Sequence, residues 1–351
     1  MTTTENLNIT NMLNSVAERG ATDIHFTVGS PAYVRVNGIL SLAEGAEVIT
    51  PVIMDSLVNF FVKEDKRKLL AEGQELKFVF DWAGKGRLRV HIFRQKGYHS
   101  LSLKLIPPQV KTISELGLPK VIESFAKAKQ GLIFISGPYN SGRSATMAAI
   151  LETINTQRSE RIVYLEDPVE QLFINQKSVV EQREVGTDIL SLTDGLQSLK
   201  DEDVNVVAVS RVDCLETMEI LLELAVSGKL VLAAMDYDTS ISCLAGIISD
   251  FPQAKKEWVS DVLADYLVGL VVQRLVPGID GFLVLAAEVL TATSSSKALI
   301  AEGRYNQLES IIQTSREEGM MSLDYSLGNL LKLGRISQET AAKYAVNKRN
   351  T

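Results

Sequence analysis

The sequence predicts an α/β protein in two parts. A front α+β domain on an antiparallel sheet is followed by a phosphate-loop domain of mostly parallel strands alternating with helices, which closes in helices. Three observations predict this. Short period-two segments fill the first third of the chain, the mark of half-buried antiparallel strands. Beyond Pro107-Pro108 the pattern changes to strands alternating with helices, which argues for a parallel sheet covered on both faces. Between one such strand and its helix stands Gly137-Pro138-Tyr139-Asn140-Ser141-Gly142-Arg143-Ser144, with the glycine spacing of a phosphate-binding loop.

Taken in order, Ile9, Met12, Leu13 and Val16 recur at helical spacing and stop at Gly20, giving an opening helix of roughly three turns. Ala32-Tyr-Val-Arg-Val36 alternates and runs into Asn37-Gly38, a hairpin signal. Lys77-Phe-Val-Phe-Asp81, Arg87-Leu-Arg-Val-His-Ile92 and Ser100-Leu-Ser-Leu-Lys-Leu105 alternate in the same way. The proline pair breaks regular structure, so residues 109–118 read as a linker after a domain over 1–108. Buried strands are expected at residues 131–136, 161–165, 204–209 and 229–235, with a helix over 143–152. After Pro252 the chain reads as helical, with Trp258, Val262, Leu263, Tyr266, Leu267 and Leu270 on one face. The expected domains are 119–290 and a C-terminal helical segment over 291–351.

Of the 351 residues, 46% are hydrophobic and 23% charged, an ordinary globular balance. A net charge of -7 argues against a general nucleic-acid-binding surface. The opening Met1-Thr-Thr-Thr-Glu-Asn is unlike a signal peptide, and the apolar stretch 266–276 is broken by Gln273 and Arg274, too short for a span. These features give the expectation of a cytoplasmic protein. Cys214 and Cys243 are too few for a disulfide framework and lack a metal spacing.

In a working phosphate loop, backbone N–H groups curl around the phosphates, a lysine reaches the β- and γ-phosphates, and the next hydroxyl holds Mg²⁺. Gly137, Gly142 and Ser144 fit, but the lysine position holds Arg143. Arginine keeps the charge with a longer, planar fork, so the exchange is not conservative.

Several strings then agree with one family. They are Gly20-Ala-Thr-Asp-Ile-His25, Val34-Arg-Val-Asn-Gly38, Glu166-Asp-Pro-Val-Glu170, Gln182-Arg-Glu-Val-Gly186, Leu215-Glu-Thr217 and Gly319-Met-Met-Ser-Leu-Asp324. With them the chain resembles, over nearly its whole length, the bacterial secretion and type IV pilus ATPases, and among these the retraction motors of twitching motility (PilT and PilU type). Val272-Gln-Arg-Leu-Val-Pro277 leans toward the PilU side. The resemblance implies a PAS-like α+β domain followed by a RecA-like P-loop domain with C-terminal helices, in a hexameric ring. It implies ATP and Mg²⁺ as cofactors, held by Gly137, Ser141, Gly142, Arg143, Ser144 and Ala145, with Ser144 on the metal if nucleotide binds. It implies that Arg87 and Arg89, on one strand face, match arginines that reach the phosphates in relatives. Such arginines stabilise transition-state charge. Glu166, Asp167 and Glu170 match the acidic box.

The same resemblance exposes losses. Active relatives carry a Walker B glutamate that acts on the Mg²⁺-associated water; its position here is Arg211. A cation cannot serve as base and would repel Mg²⁺. The two histidines of the family's histidine box are replaced by Lys229 and Asp236, and two arginines beyond Gly186 by Gln197 and Asp201. A short Ala-Ile-Arg-Asn-Leu-Ile element corresponds to Ser296-Lys-Ala-Leu-Ile300, without its Arg-Asn pair. The packing part survives better, through helices to Asn347. One removed electrostatic donor costs ~100- to 1,000-fold in rate, so losing the set predicts little hydrolysis.

The first reading is therefore a pseudo-ATPase, a ring subunit, scaffold or regulator at the cytoplasmic, inner-membrane base of a pilus machine. It would assemble as a homo-hexamer, or as a hetero-oligomer with an active retraction ATPase, against the pilus inner-membrane platform protein. The alternative is a weak ATPase with Arg143 in the lysine role and Glu166 or Glu170 activating water. A third is a nucleotide sensor without hydrolysis. In the former nucleotide site, buried charges need partners; pairs of Arg143 with Glu166 or Asp167, and of Arg211 with Asp236, are expected.

Overall fold

The computed structural model describes residues 3–82 and 86–346, so Met1 and Asn347 lie outside the described residues. The chain divides into two compact units, Met1–Gln109 and Val110–Thr351.

In the first unit the strands are β1 (Ala21–Thr27), β2 (Tyr33–Val36), β3 (Ile39–Leu42), β4 (Leu76–Asp81), β5 (Arg87–Gln95) and β6 (Tyr98–Ile106). They form one sheet in the order β3-β2-β1-β6-β5-β4, with every pairing antiparallel. Asn37 and Gly38 take φ of 51° and 81°, the positive values a two-residue hairpin needs. Lys96 and Gly97, at 50° and 83°, close the β5–β6 hairpin in the same manner. Alternation along β5 buries Leu88, Val90 and Ile92 and turns Arg87, Arg89 and His91 to the other, polar face. The buried face meets the helices Thr3–Glu18 and Pro51–Phe61 through Leu13, Met54 and Leu57. The second of these helices starts at a Thr50 cap followed by Pro51, a preferred opening.

The second unit holds β7 (Gly131–Ser136), β8 (Arg161–Glu166), β9 (Val179–Glu184), β10 (Val206–Val209), β11 (Leu230–Met235), β12 (Leu267–Pro277) and β13 (Leu283–Thr291). Their order is β13-β12-β7-β11-β10-β8-β9. All neighbours run parallel except β12 and β13. Every residue of β7, β10 and β11 is buried, as expected of strands covered on both faces.

One expectation fails here. The helix after Pro252 ends at Tyr266, and residues 267–277 and 283–291 are strands. The open edge of β7 requires a partner, and the β-branched run Val268, Val271, Val272 and Val276 supplies it. Helical spacing held only as far as Tyr266. Strands β1 and β9 and the helices Pro51–Phe61 and Glu64–Ala71 are additions to the sequence reading.

The C-terminal strings are packing devices. Gly319 has φ +85°, and a Cβ there would stand 2.4 Å from Val121 Cγ2, so only glycine fits the approach. Beside it Met320 and Leu323 are buried. The Ser294–Ala301 helix opens on a Thr293/Ser296 capping box, with Ser296 and Ile300 fully buried. Among the described residues no helix is long and apolar enough to cross a membrane, and Cys214 and Cys243 are both free.

Strand β9 is held to β8 by a four-charge ring. Arg161 bridges Glu181 and Glu202 at 2.8 Å each, and Arg183 bridges the same two at 3.1 and 2.9 Å. Hydrogen bonds from Arg183 and then Arg161 hold the Glu202 carboxyl down at about 2, against an ordinary 4.5. A depressed carboxylate stabilises the fold above its unfolded value and loses that contribution as pH falls toward the folded one. The urea midpoint should therefore drop between about pH 4.5 and about 2, and Glu202→Gln should flatten that limb. Parallel curves for the two proteins would show that the ring is not coupled to folding.

Candidate functional site

The second unit carries its candidate site at the carboxyl edge of the parallel sheet, the usual ligand side of such folds. Strand β7 ends at Ser136, and the chain turns through residues 137–142 into the helix Arg143–Gln157. Gly137 has φ +145°, and a Cβ there would lie 2.3 Å from the Gln273 carbonyl oxygen. Gly142, the helix N-cap, has φ +92° and Asn140 φ 63°. The loop is thus left-handed at three points and backed directly by β12.

Gln273 on β12 does the backing. It is fully buried; its Nε2 donates to the Ser141 carbonyl at 2.8 Å and its Oε1 accepts from Thr146 Oγ1 at 2.8 Å. One side chain therefore ties the loop to the first turn of its helix. Sequence reasoning saw Gln273 as an interruption of an apolar run and as part of the 272–277 string, without a structural task. An amide alone in such a run must find buried partners, and that was the available signal.

Arg143 pairs with Asp236, just past β11, and donates to the Met235 carbonyl. Arg211, just past β10, pairs with Asp167, just past β8, at 2.6 Å, with Asp213 at 3.7 Å behind it. Ion pairs do form here, but with partners exchanged relative to expectation. The strand order explains the exchange: β7 adjoins β11, and β10 adjoins β8. Asp167 lies three strand spacings from β7, about 14 Å, beyond one arginine. Asp236 is already taken by Arg143, so Arg211 turns to Asp167.

The acidic box is split in its tasks. Glu166 is buried, and its Oε1 accepts from Gln182 Nε2 at 2.8 Å while Oε2 receives the Glu170 N–H at 3.5 Å. The buried Tyr164 hydroxyl is pushed well up, first by burial and then by the Glu166 and Glu170 charges. Asp167 is engaged by Arg211. Ser136 Oγ donates to the Tyr237 carbonyl at 2.8 Å and accepts its N–H at 2.9 Å, joining the ends of β7 and β11.

Other candidates fall elsewhere. Lys229 precedes β11, beside Gly131, while Asp236 follows its far end. The two are separated by the length of the strand, roughly 20 Å, and the structure does not bring them together. Gln197 lies on the exposed side of the helix Leu192–Ser198, with Asp201 exposed beyond it. Arg87 and Arg89 share one face of β5 in the first unit, where Arg87 Nε meets Asp81 at 2.8 Å.

The loop suits a phosphate group: two glycines that tolerate no Cβ without strain, and a buried Ser141 Oγ with no hydrogen-bond partner. Ser144 and Ala145 lie in the first helical turn beyond it, where N–H groups favour anions. The charged side chains around it are paired with one another. The loop cation pairs with Asp236, and the carboxylate of Asp167 pairs with the Arg211 guanidinium. Among the described residues, no group of three His, Cys, Asp or Glu could hold a metal ion.

Gln273→Leu leaves the Ser141 carbonyl and Thr146 hydroxyl buried without their partner, at ~1–3 kcal/mol per group. Unfolding free energy should fall by at least ~1 kcal/mol, and amide exchange over residues 137–144 should accelerate. Exchange at the wild-type rate would mean that the loop holds its shape without β12.

The family model for Type II/IV secretion system protein matches residues 3–322. The chain is 31% identical to the type IV pilus retraction ATPase PilT of Pseudomonas aeruginosa, over 97% of this chain and 98% of that one. It is equally 31% identical to the type IV pilus ATPase PilU of the same organism, over 95% and 87%, so overall identity does not separate the two. The crystal structure of the pilus retraction motor PilT with bound ADP superposes with a TM-score of 0.86 at 32% identity, covering 98% of both chains.

Proposed function

We propose a function from one premise: the chain belongs to the Type II/IV secretion system proteins, among the PilT-type pilus retraction ATPases. On that premise it is a catalytically impaired ring subunit, a scaffold or regulator at the cytoplasmic base of a pilus machine. The observation that carries the reading is the pair of charge contacts, Arg143 with Asp236 and Arg211 with Asp167. Phosphoryl transfer to water needs a cation on the phosphates and a carboxylate on the metal or the water. Here the cation leans on a carboxylate and the carboxylate on a cation.

The ring is proposed as a homo-hexamer, or as a mixed assembly with an active retraction ATPase, docked on the pilus inner-membrane platform protein. Arg87 and Arg89 keep the family's arginine pair on one strand face, which supports retention of the contact role of the first unit. The intact glycine turn and the orphaned Ser141 hydroxyl favour a second reading, nucleotide held without turnover. ATP would then lie on residues 137–145, with Ser144 toward any Mg²⁺.

The purified full chain should turn over ATP at least ~100-fold more slowly than an active retraction ATPase measured beside it. The triple change Arg143→Lys, Arg211→Glu and Asp236→His should raise that rate, because it removes both competing pairs together. An ADP-dependent rise in melting temperature would distinguish held nucleotide from lost nucleotide. Wild-type turnover equal to the active enzyme's would overturn the pseudo-ATPase.

A further inference from the structure

The first unit carries a half-open pocket of about 520 Å³ between the Thr3–Glu18 helix, β1, β2, the segment after β3 and the start of the Pro51–Phe61 helix. Its walls are apolar, with Met12, Val16, Ile24, Val34, Ile49 and Leu57 among them. The polar groups that reach it are of two kinds. Ser15 and Ser56 bring hydroxyls, and Arg19, Glu44 and Glu47 bring charges. Those charges stand at the rim: Arg19 Nη1 meets Glu44 Oε2 at 2.9 Å with the side chains 50% and 83% exposed, and Glu47 is exposed.

Size and chemistry together restrict the occupant. A dry apolar cavity of ~150 Å³ already takes benzene, and small-molecule sites run from ~300 to ~1,000 Å³. The greater part of the lining is apolar, so the inner part of the space favours apolar matter over water. A charged group carried into the inner part would leave water without a buried counter-charge. An anion would in addition meet a rim whose arginine is already neutralised and whose remaining charge is Glu47.

We infer that this cavity is a binding site for an uncharged, predominantly apolar small molecule, one that fills the space between helix and sheet and turns at most a hydroxyl-sized polar group to Ser15 or Ser56. The site lies wholly within the first unit and does not depend on whether the second unit hydrolyses ATP.

The test titrates the full chain with neutral N-phenylnaphthylamine and, separately, with anionic anilinonaphthalene sulfonate. The neutral dye should brighten saturably with one-to-one stoichiometry and bind several-fold more tightly than the anionic one. Ser15→Trp, on an exposed helix position, and Ala43→Phe, at the cavity wall, should each weaken it by about tenfold, equal to about 1.4 kcal/mol. Circular dichroism identifies any variant that fails to fold, and the Ser15 change at the surface carries the test alone in that case. Non-saturating fluorescence, tighter binding of the anionic dye, or wild-type affinity in the folded variants would overturn the inference.

Discussion

The spacing of neighbouring strands along one edge of the parallel sheet governs the candidate site. A side chain leaving the carboxyl end of a strand reaches the end of the next strand, not of the third. Arg143 therefore meets Asp236 across the β7–β11 gap and Arg211 meets Asp167 across the β10–β8 gap. The chemistry of the edge follows. Two cations and two carboxylates stand along this edge, and each is matched by its neighbour. Such half-exposed pairs contribute little stability, ~0–1 kcal/mol. What they set is the local charge along the edge, since each cation there has a carboxylate beside it.

Backbone features were legible in the chain because they depend on local residue type. Asn37-Gly38, the Gly137 and Gly142 turn, and the alternation of β5 each announce themselves within a few residues. Pairing across the edge was not legible, because strand order is a property of the whole sheet. Knowing that Arg143, Arg211, Asp167 and Asp236 share an edge left the partners open, and only the β7-β11-β10-β8 order selects them. The stretch 267–277 shows a different limit. Its apolar residues satisfy a helical face and a buried strand alike, and the vacant edge of β7 decides between them. Lys229 illustrates a third. Two residues of one sequence box lie at opposite ends of a strand, so adjacency in a motif was not adjacency in space.

The strings that match the family persist for packing reasons as much as for chemical ones. Gln182 holds the Glu166 carboxylate, Arg183 belongs to the four-charge ring, and Gly319 lets the C-terminal segment approach Val121. Selection for a stable sheet would retain these residues whether or not ATP is hydrolysed. Arg211 and Asp236 sit past the strand ends, with side chains 45% and 72% exposed. A chain can thus keep the outline of a motor while the groups at its working edge change.

The Arg143–Asp236 pair is unequal: the arginine side chain is 18% exposed and the aspartate 72%. The cation is fixed by the fold and the anion is largely a solvent-side guest. The arginine is held from its buried side as well, by its donation to the Met235 carbonyl. The loop therefore carries a positive charge whose position the fold sets and whose counter-charge the chain itself supplies from the end of the neighbouring strand.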